Sequence, residues 1–406
     1  MKLIYLHQYF KLPNETGGTR SYDLATSFVK MGIDVTIVTA TSDKTYKTGK
    51  RWEKVERDGL TVYYTYLPYS NQLSYFRRII VFFQFLWRAS IKVLRLKGDM
   101  VLATSTPLTI GVPALIKYKL HKTPYIFEVR DVWPEAVIAI GAIKNKLAQK
   151  ILYELERVIY KNSIAIIPLS TDMQKSIITR YPKFEAKAKV VVENISEISR
   201  FQNTSKNIDL KSIIGFSPRF SVLYAGTFGR VNGIQYVIEL AKLTLELDDK
   251  IVYILMGKGA DKENIIKQAE EAGVLDRNVF ILPPVSKNEL PSWYKSISMG
   301  SSFVIPIKEL WANSANKFFD TLAAGKPILI NHEGWQSETI KRKNIGYVLP
   351  QKITKDEARK FVQYTQNHEL IIEQESNALK TAIECYSLEK ATEKYLSVFK
   401  DSKQNE

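Results

Sequence analysis

The sequence predicts two doubly wound α/β domains, each a parallel sheet with helices on both faces. Three observations predict it. Short apolar runs of strand length alternate with longer amphipathic runs of helix length, the pattern of parallel sheets covered on both sides. The alternation occurs twice, once in each half of the chain. A polar, turn-prone stretch separates the two halves. At 406 residues, 45% hydrophobic and 25% charged, the chain has the length of about two soluble domains and the composition of folded ones.

The first domain, 1–195, opens with the strand "KLIYLH", a loop holding Gly17 and Gly18, the helix "RSYDLATSFVKMG" and the strand "DVTIVTA". The long run "FRRIIVFFQFLWRASIKVLRLKG", 76–98, reads as an amphipathic helix preceded by Tyr69, Tyr75 and Phe76. Then come "DMVLATS", a helix near 109–120, "TPYIFEV", a helix near 143–161, "IAIIPLS" and a final strand "KVVVE". The linker falls around 195–218. The second domain, 196–385, opens with "FSVLYAG", the loop "TFGRVNG" and the helix "IQYVIELAKLTLEL". "IVYILMG", "NVFILPP", "SSFVIPI" and "PILIN" follow as strands, with helices near 260–272, 287–297 and 316–324 between them. The tail is helical and charged, and 386–406 is expected to pack back toward the first domain.

Composition narrows the function classes. The single cysteine, Cys385, cannot form an internal disulfide, which suits a reducing cytoplasm. The apolar start is short and runs into a polar loop, so it reads as a buried strand rather than a secretory leader. The longest uncharged run, Met100 to Ile116, is interrupted by Thr, Ser, Pro and Gly and does not span a bilayer. Net charge is +16, and it is unevenly placed. Residues 1–195 hold 30 Lys and Arg against 16 Asp and Glu, whereas 196–406 hold 28 against 26. A polyanion or an anionic membrane should therefore face the first domain.

Several stretches carry chemistry. Gly17 and Gly18 lie between a strand and a helix start, so backbone N–H groups there can approach a phosphate or sugar. Arg20 beside them either reaches the same anion or lies on the surface. In "FEVRDVWPEA", polar residues follow a strand, at the sheet edge where ligands of doubly wound folds collect. Asp131 can accept a hydrogen bond from a sugar hydroxyl. Arg130 either binds an anion or pairs with Glu128 or Asp131. Glu135 either faces a second substrate or caps the following helix. In "ANKFFDTLAAGKPILIN", Asn316 is a candidate N-cap and Gly325 a stop, bounding one short helix. Its positive end can face a diphosphate, and Lys317 adds a full charge. Asp320, one turn further in, is placed to accept hydrogen bonds from both hydroxyls of a ribose. Along 76–98, Arg77, Gln84, Arg88, Lys92 and Arg95 form one stripe and Ile80, Phe83, Trp87 and Leu94 lie largely opposite. Such a helix either lies on anionic lipid or docks on its own sheet. The four histidines show no metal-ligand spacing; His7 ends the first strand and can touch a ligand.

Taken together and in order, "GGTRSYDLATSFVKMGIDVTIVT", "STPLTIGVPAL", "VRDVWPEA", "YAGTFGRVNGI", "MGKGADKENI" and "NKFFDTLAAGKPIL" resemble the retaining glycosyltransferases of family 4. "VRDVWPEA" is similar to the subgroup that includes bacterial N-acetyl-L-fucosamine transferases of surface-polysaccharide synthesis. The resemblance implies the GT-B fold, two facing Rossmann-like domains with a cleft between them. The first would bind the acceptor and the membrane, and the second the nucleotide sugar. It implies transfer, with retention, of a sugar such as an N-acetylated deoxy or amino sugar. The donor would be a UDP-sugar and the acceptor an undecaprenyl-diphosphate-linked saccharide, for O-antigen or capsule. No cofactor, metal or nucleic-acid partner is expected, and the location would be cytoplasmic, on the inner face of the membrane.

The resemblance also assigns donor contacts to Gly17, Gly18, Arg20, Thr227, Asn232, Gly257, Asn316 and Asp320. It assigns the chemistry to Arg130, Asp131, Arg230 and Lys317. The acceptor or membrane side falls to Glu135, Arg77, Arg88, Lys92 and Arg95. Three family features are missing. Arg130 and Asp131 stand close to where many family members carry a histidine. Thr227 and Asn232 stand where an Arg and a Lys usually steady the leaving diphosphate, so Arg230 and Lys317 are expected to supply that charge. Ala312 stands where a first glutamate is usual, with Glu309 as its possible replacement. The competing classes are a UDP-sugar epimerase of similar architecture and a basic nucleic-acid-binding protein.

Overall fold

A computed structural model describes residues 1–68 and 75–404. Tyr69 lies outside the described residues, as do the side chains of Tyr75 and Phe76.

The first sheet has seven strands. They are β1 (Lys2–Leu6), β2 (Asp34–Thr41), β3 (Glu53–Arg57), β4 (Leu60–Tyr66), β5 (Met100–Thr104), β6 (Tyr125–Val129) and β7 (Ala165–Pro168). Their spatial order is β3-β4-β2-β1-β5-β6-β7, parallel except for the β3–β4 pair. Interior strands β1, β5 and β6 are buried along almost their whole length, as strands covered on both faces must be. The second sheet is wholly parallel. It comprises β8 (Phe220–Thr227), β9 (Ile251–Lys258), β10 (Val279–Leu282), β11 (Met299–Ser302), β12 (Ile328–Ile330) and β13 (Gly346–Val348). Their order is β10-β9-β8-β11-β12-β13. In both sheets the order reverses beside the first strand, which opens a crevice at the carboxyl ends.

Three local expectations need correction. "EKVERDGLTVYYTY" forms the β3–β4 hairpin, which the alternation of strand and helix does not predict. Its turn residues Asp58 and Gly59 both have positive φ, 51° and 78°, as a two-residue Asp-Gly hairpin loop requires. "KVVVE" is not a strand; its Val192 N–H reaches Pro168 O at 3.1 Å without a continuing ladder. β11 ends at Ser302, so the apolar "FVIPI" is loop.

The chain crosses between domains twice. After β7 it passes through the short helices Ile198–Gln202 and Leu210–Ile214 into the second domain. It returns through Leu388–Gln404, whose Ala391, Tyr395, Val398 and Phe399 join the first domain's core. There Tyr395 and Phe399 meet Phe28 edge-on at 5.6 and 5.3 Å.

A buried ion pair lies beneath that packing. Arg20, the first residue of the helix Arg20–Lys30, donates from Nε to Glu128 at 2.7 Å, with both side chains almost fully buried. Its remaining nitrogens reach the carbonyls of Val192 and Glu193 and the Tyr395 hydroxyl. The Glu128 carboxylate also accepts from Thr104. This corrects the expectation that Arg20 binds a ligand anion: its fork is saturated by protein groups beneath the glycine loop. Burial, with Glu128 beside it, pushes the neighbouring Tyr5 hydroxyl up to about 12.

Arg20→Met leaves the Glu128 carboxylate buried without its partner. It is expected to lower the unfolding free energy by about 3–5 kcal/mol, read from urea unfolding of the first domain. Adding Glu128→Gln should recover much of the loss; a single variant as stable as the parent would contradict the clamp.

Candidate active site

The carboxyl ends of the two sheets enclose a cleft of about 540 Å³ between the domains. The first domain contributes His7 after β1, Gly17 and Gly18, Thr106 after β5, and Arg130 and Asp131 after β6. The second contributes Gly226 and Thr227 at the end of β8, Gly257 and Lys258 at the end of β9, Lys287, and the start of the helix Asn316–Ala323.

That helix is positioned from its sequence. Phe318, Phe319 and Leu322 are fully buried against Ile328, Ile330 and Trp335. A Cβ at Gly300 of β11 would collide with the Thr321 side chain, so a glycine there lets the helix press onto the sheet. Gly325, at φ +66°, ends it. Asn316 is not the N-cap, as expected, but the first helical residue. Ala315 occupies the cap position, and no side chain bonds the first N–H groups. The Phe318 N–H turns back to Ala315 O at 3.1 Å, while Asn316 and Lys317 line the cleft at the positive end of the dipole.

The opposite wall meets this tip at Gly18. A Cβ there would overlap the Asn316 amide, and Gly17, at φ +130°, shapes the same loop. A side chain at Gly18 would therefore have to displace the Asn316 amide across the cleft.

Lys317 is half-buried behind the tip. Its ammonium lies 4.7 Å from the Tyr224 ring centroid, and among the described residues no carboxylate forms an ion pair with it. Burial pulls its pKa down to about 8, with Asp320 pulling the other way. A desolvated ammonium without an ion-pair partner at a helix N-terminus is built to receive an anion.

Asp320 lines the cleft, but one carboxylate oxygen is already taken by the Lys287 ammonium. Both side chains are buried, and the Lys287 N–H also reaches Glu15 O of the other domain at 3.3 Å. A ribose would therefore share Asp320 with Lys287, which sequence reasoning missed; nothing in the loop "PPVSKNEL" marks that lysine. Lys258 was also missed. It ends β9 opposite Thr227 and brings a cation to the cleft. Its signal was legible, immediately after a strand in "MGKGAD".

Other expected residues fall elsewhere. Arg230 sits on the short turn Arg230–Asn232, exposed and outside the cleft lining, because the loop carries it outward. Asn232 spends its amide on Thr227 O at 2.9 Å. Glu309 is exposed on the turn Lys308–Leu310 and also lies off the cleft. Ala312 packs with Val132, Leu169 and Met173 in an apolar contact between domains. Glu135 neither lines the cleft nor caps its helix; it accepts from Ser176 at 2.7 Å and Arg180 at 3.1 Å.

Asp131 accepts from the Thr106 hydroxyl. Arg130 pairs with neither Glu128 nor Asp131. Its Nη1 lies 3.3 Å from His7 Nε2. Burial, followed by the Arg130 charge, holds the His7 pKa well below its usual value.

The helix Tyr75–Arg95 reverses the expected polarity. Val81, Phe85, Ala89 and Val93 face the core. Arg88 folds onto β4, donating to Thr65 at 2.8 Å and Tyr66 O at 3.0 Å, and Lys92 lies 3.2 Å above the Tyr63 ring. Their charges are held by the sheet edge, not displayed in a stripe. Ile80, Phe83 and Trp87 instead stand 41%, 65% and 67% exposed, with Arg77 and Arg95 also exposed. Among the described residues no helix is long and apolar enough to cross a membrane.

Residues 16–194 match the family model "Glycosyl transferase 4-like domain" and 209–381 match "Glycosyl transferases group 1". A poly(ribitol-phosphate) alpha-N-acetylglucosaminyltransferase of Staphylococcus aureus is 26% identical over 51% of this chain and 40% of its own. A probable glycosyltransferase, WbjE of Pseudomonas aeruginosa, is 23% identical over 75% of this chain and 82% of its own. The chain spans about half the length of the first curated relatives it matches. Among solved structures, Anabaena HepE in complex with UDP-glucose superposes with a TM-score of 0.72 at 16% identity, over 99% of this chain and 100% of that one.

An anion in the cleft binds the protonated form of Lys317. Pyrophosphate affinity, measured by calorimetry, should therefore hold below pH 8 and fall as pH rises past it, by up to about tenfold per unit. Lys317→Arg stays charged and should lose this component, whereas the ligand's own titration is common to both proteins. Identical pH profiles would remove Lys317 from the anion site.

Proposed function

The two halves of the chain belong to the glycosyl transferase 4-like and glycosyl transferases group 1 families, and on that premise we propose that the protein transfers a sugar from a UDP-sugar to a lipid-linked saccharide. The observation that carries this reading is the uncapped tip of the Asn316 helix, backed by half-buried Lys317 and facing Gly17 and Gly18 across the cleft. The donor diphosphate lies at that tip and its ribose at Asp320. The donor is a UDP-N-acetylated sugar and the acceptor a saccharide on undecaprenyl diphosphate, in O-antigen or capsule synthesis. The name of the Staphylococcus relative, an alpha-N-acetylglucosaminyltransferase, supports the N-acetylated sugar, and UDP-glucose in the Anabaena HepE structure supports the nucleotide.

The chemistry follows from charge. As the bond from sugar to diphosphate breaks, negative charge grows on the leaving phosphate. Lys317, Lys258 and the helix N–H groups are in place to stabilise that charge before it forms, and donors fixed in advance in this way usually supply most of the rate enhancement. Both acidic side chains of the cleft are engaged, Asp131 with Thr106 and Asp320 with Lys287. In this reading retention proceeds by attack on the face that the diphosphate leaves. The departing phosphate takes the acceptor hydroxyl's proton, and no glycosyl–enzyme bond forms. Cations of the chain perform the task that a metal ion performs in other sugar-nucleotide sites.

The exposed Ile80, Phe83 and Trp87 share one face of the first sheet with Leu147 and Ile151 of the helix Lys146–Asn162, 67% and 59% exposed. Apolar side chains in a strongly basic domain fit the interface of an anionic bilayer, on the cytoplasmic side of the cell membrane.

A panel of UDP-sugars incubated with membrane lipid extract, scored by UDP release, tests the reading. One donor should turn over only with extract, and Lys317→Gln should slow it by about 10²–10³-fold. Unchanged turnover in that variant, or no response to any UDP-sugar, would contradict it. Separately, Phe83→Ser with Trp87→Ser should release the protein from floated anionic vesicles; undiminished flotation would retire the membrane face.

A further inference from the structure

From the wall of the cleft opposite the diphosphate cations, we infer a second anion subsite, formed by Arg130 with His7, that recognises a carboxylate or phosphate other than the donor's diphosphate. The inference rests on the reading of the cleft as a UDP-sugar site and adds a requirement to it.

Arg130 lines the cleft and is half-buried, and the acids near it in sequence are already committed. Glu128, two residues earlier, holds Arg20 and Thr104. Asp131, the next residue, is turned to Thr106. Among the described residues no carboxylate lies within ion-pair distance of the Arg130 guanidinium; its one side-chain partner is His7. A partly desolvated guanidinium without a counter-charge is unfavourable unless a ligand supplies one. Its planar fork matches carboxylate and phosphate oxygens two at a time.

His7 strengthens the case. It is 5% exposed, lines the same cleft, and its Nδ1 is buried without a hydrogen-bond partner. With Nε2 accepting from Arg130, Nδ1 carries the proton, and the histidine holds the guanidinium in place without cancelling its charge. Lys317 and Lys258 stand on the other domain, across the cleft from Arg130. The same chemistry has two sources: a carboxylate on the donor sugar, or a phosphate joining the acceptor sugar to its carrier.

Calorimetry separates them. The donor arm compares UDP-glucuronate with UDP-glucose. The acceptor arm, with UDP bound, compares octyl N-acetylglucosaminyl phosphate with octyl N-acetylglucosaminide. In one arm the charged probe should bind about tenfold tighter than the neutral one, and that arm names the source. Arg130→Gln should bring the pair to parity, Arg130→Lys should restore part of the gap, and both variants should still bind UDP. Parity in both arms with the parent protein, or a preference that survives Arg130→Gln, overturns the subsite alone. Failure of the parent to bind UDP overturns the nucleotide reading and the subsite with it.

Discussion

The site depends on one close approach: Gly18 of the first domain against the Asn316 side chain at the helix tip of the second. The two domains contribute unequal parts to a shared site, and this contact lies between them. Several hydrogen bonds hold the domains in that relation. Asn194 reaches the backbone of Ser314, Ser170 reaches Ala312 O at 2.7 Å, and Asp172 receives the Trp335 N–H at 2.8 Å. Lys287 ties the far side through Glu15. Behind the glycine loop, the linker residue Arg200 grips Asp23 at 2.7 Å and Thr19 at 3.1 Å. The loop is thus anchored by the linker, by the buried Arg20–Glu128 pair and by the returning C-terminal helix.

Charge is arranged around that approach in a chain that lacks the usual cations on its β8 loop. Thr227 and Asn232 bond the backbone or face the cleft as neutral groups, and Arg230 is directed away. Lys258 at the end of the neighbouring strand and Lys317 at the helix tip bring cations to the cleft instead. Partial burial of Lys317 makes its charge more useful, because a partly desolvated ammonium sheds less water to meet an incoming anion. The same burial brings its titration into the working pH range, so anion capture and proton uptake become linked.

Much of the architecture was legible because it rests on local pattern. Strand–helix alternation marked both sheets, and "NKFFDTLAAG" marked the helix beneath the site, since its apolar face and terminal glycine are properties of neighbouring residues. The hairpin at 53–66 was legible in principle from Asp58–Gly59 but broke the alternation that predicted the rest. Residues whose roles depend on distant partners were not legible. Arg20 looked like a ligand-facing arginine until Glu128, 108 positions away, proved to hold it. Arg88 and Lys92 sat on a helical stripe that no helical wheel could orient, because β4 decided which side faced inward. Lys287 required knowledge that a loop after β10 folds back onto Asp320. In each case periodicity located the element, and a long-range contact assigned the side chain.

The most direct test is a crystal structure of the protein soaked with UDP. The account predicts the β-phosphate within hydrogen-bond distance of Lys317 Nζ and the first N–H groups of the Asn316 helix, with the ribose at Asp320. UDP bound outside the cleft, or a diphosphate turned away from that helix tip, would contradict it.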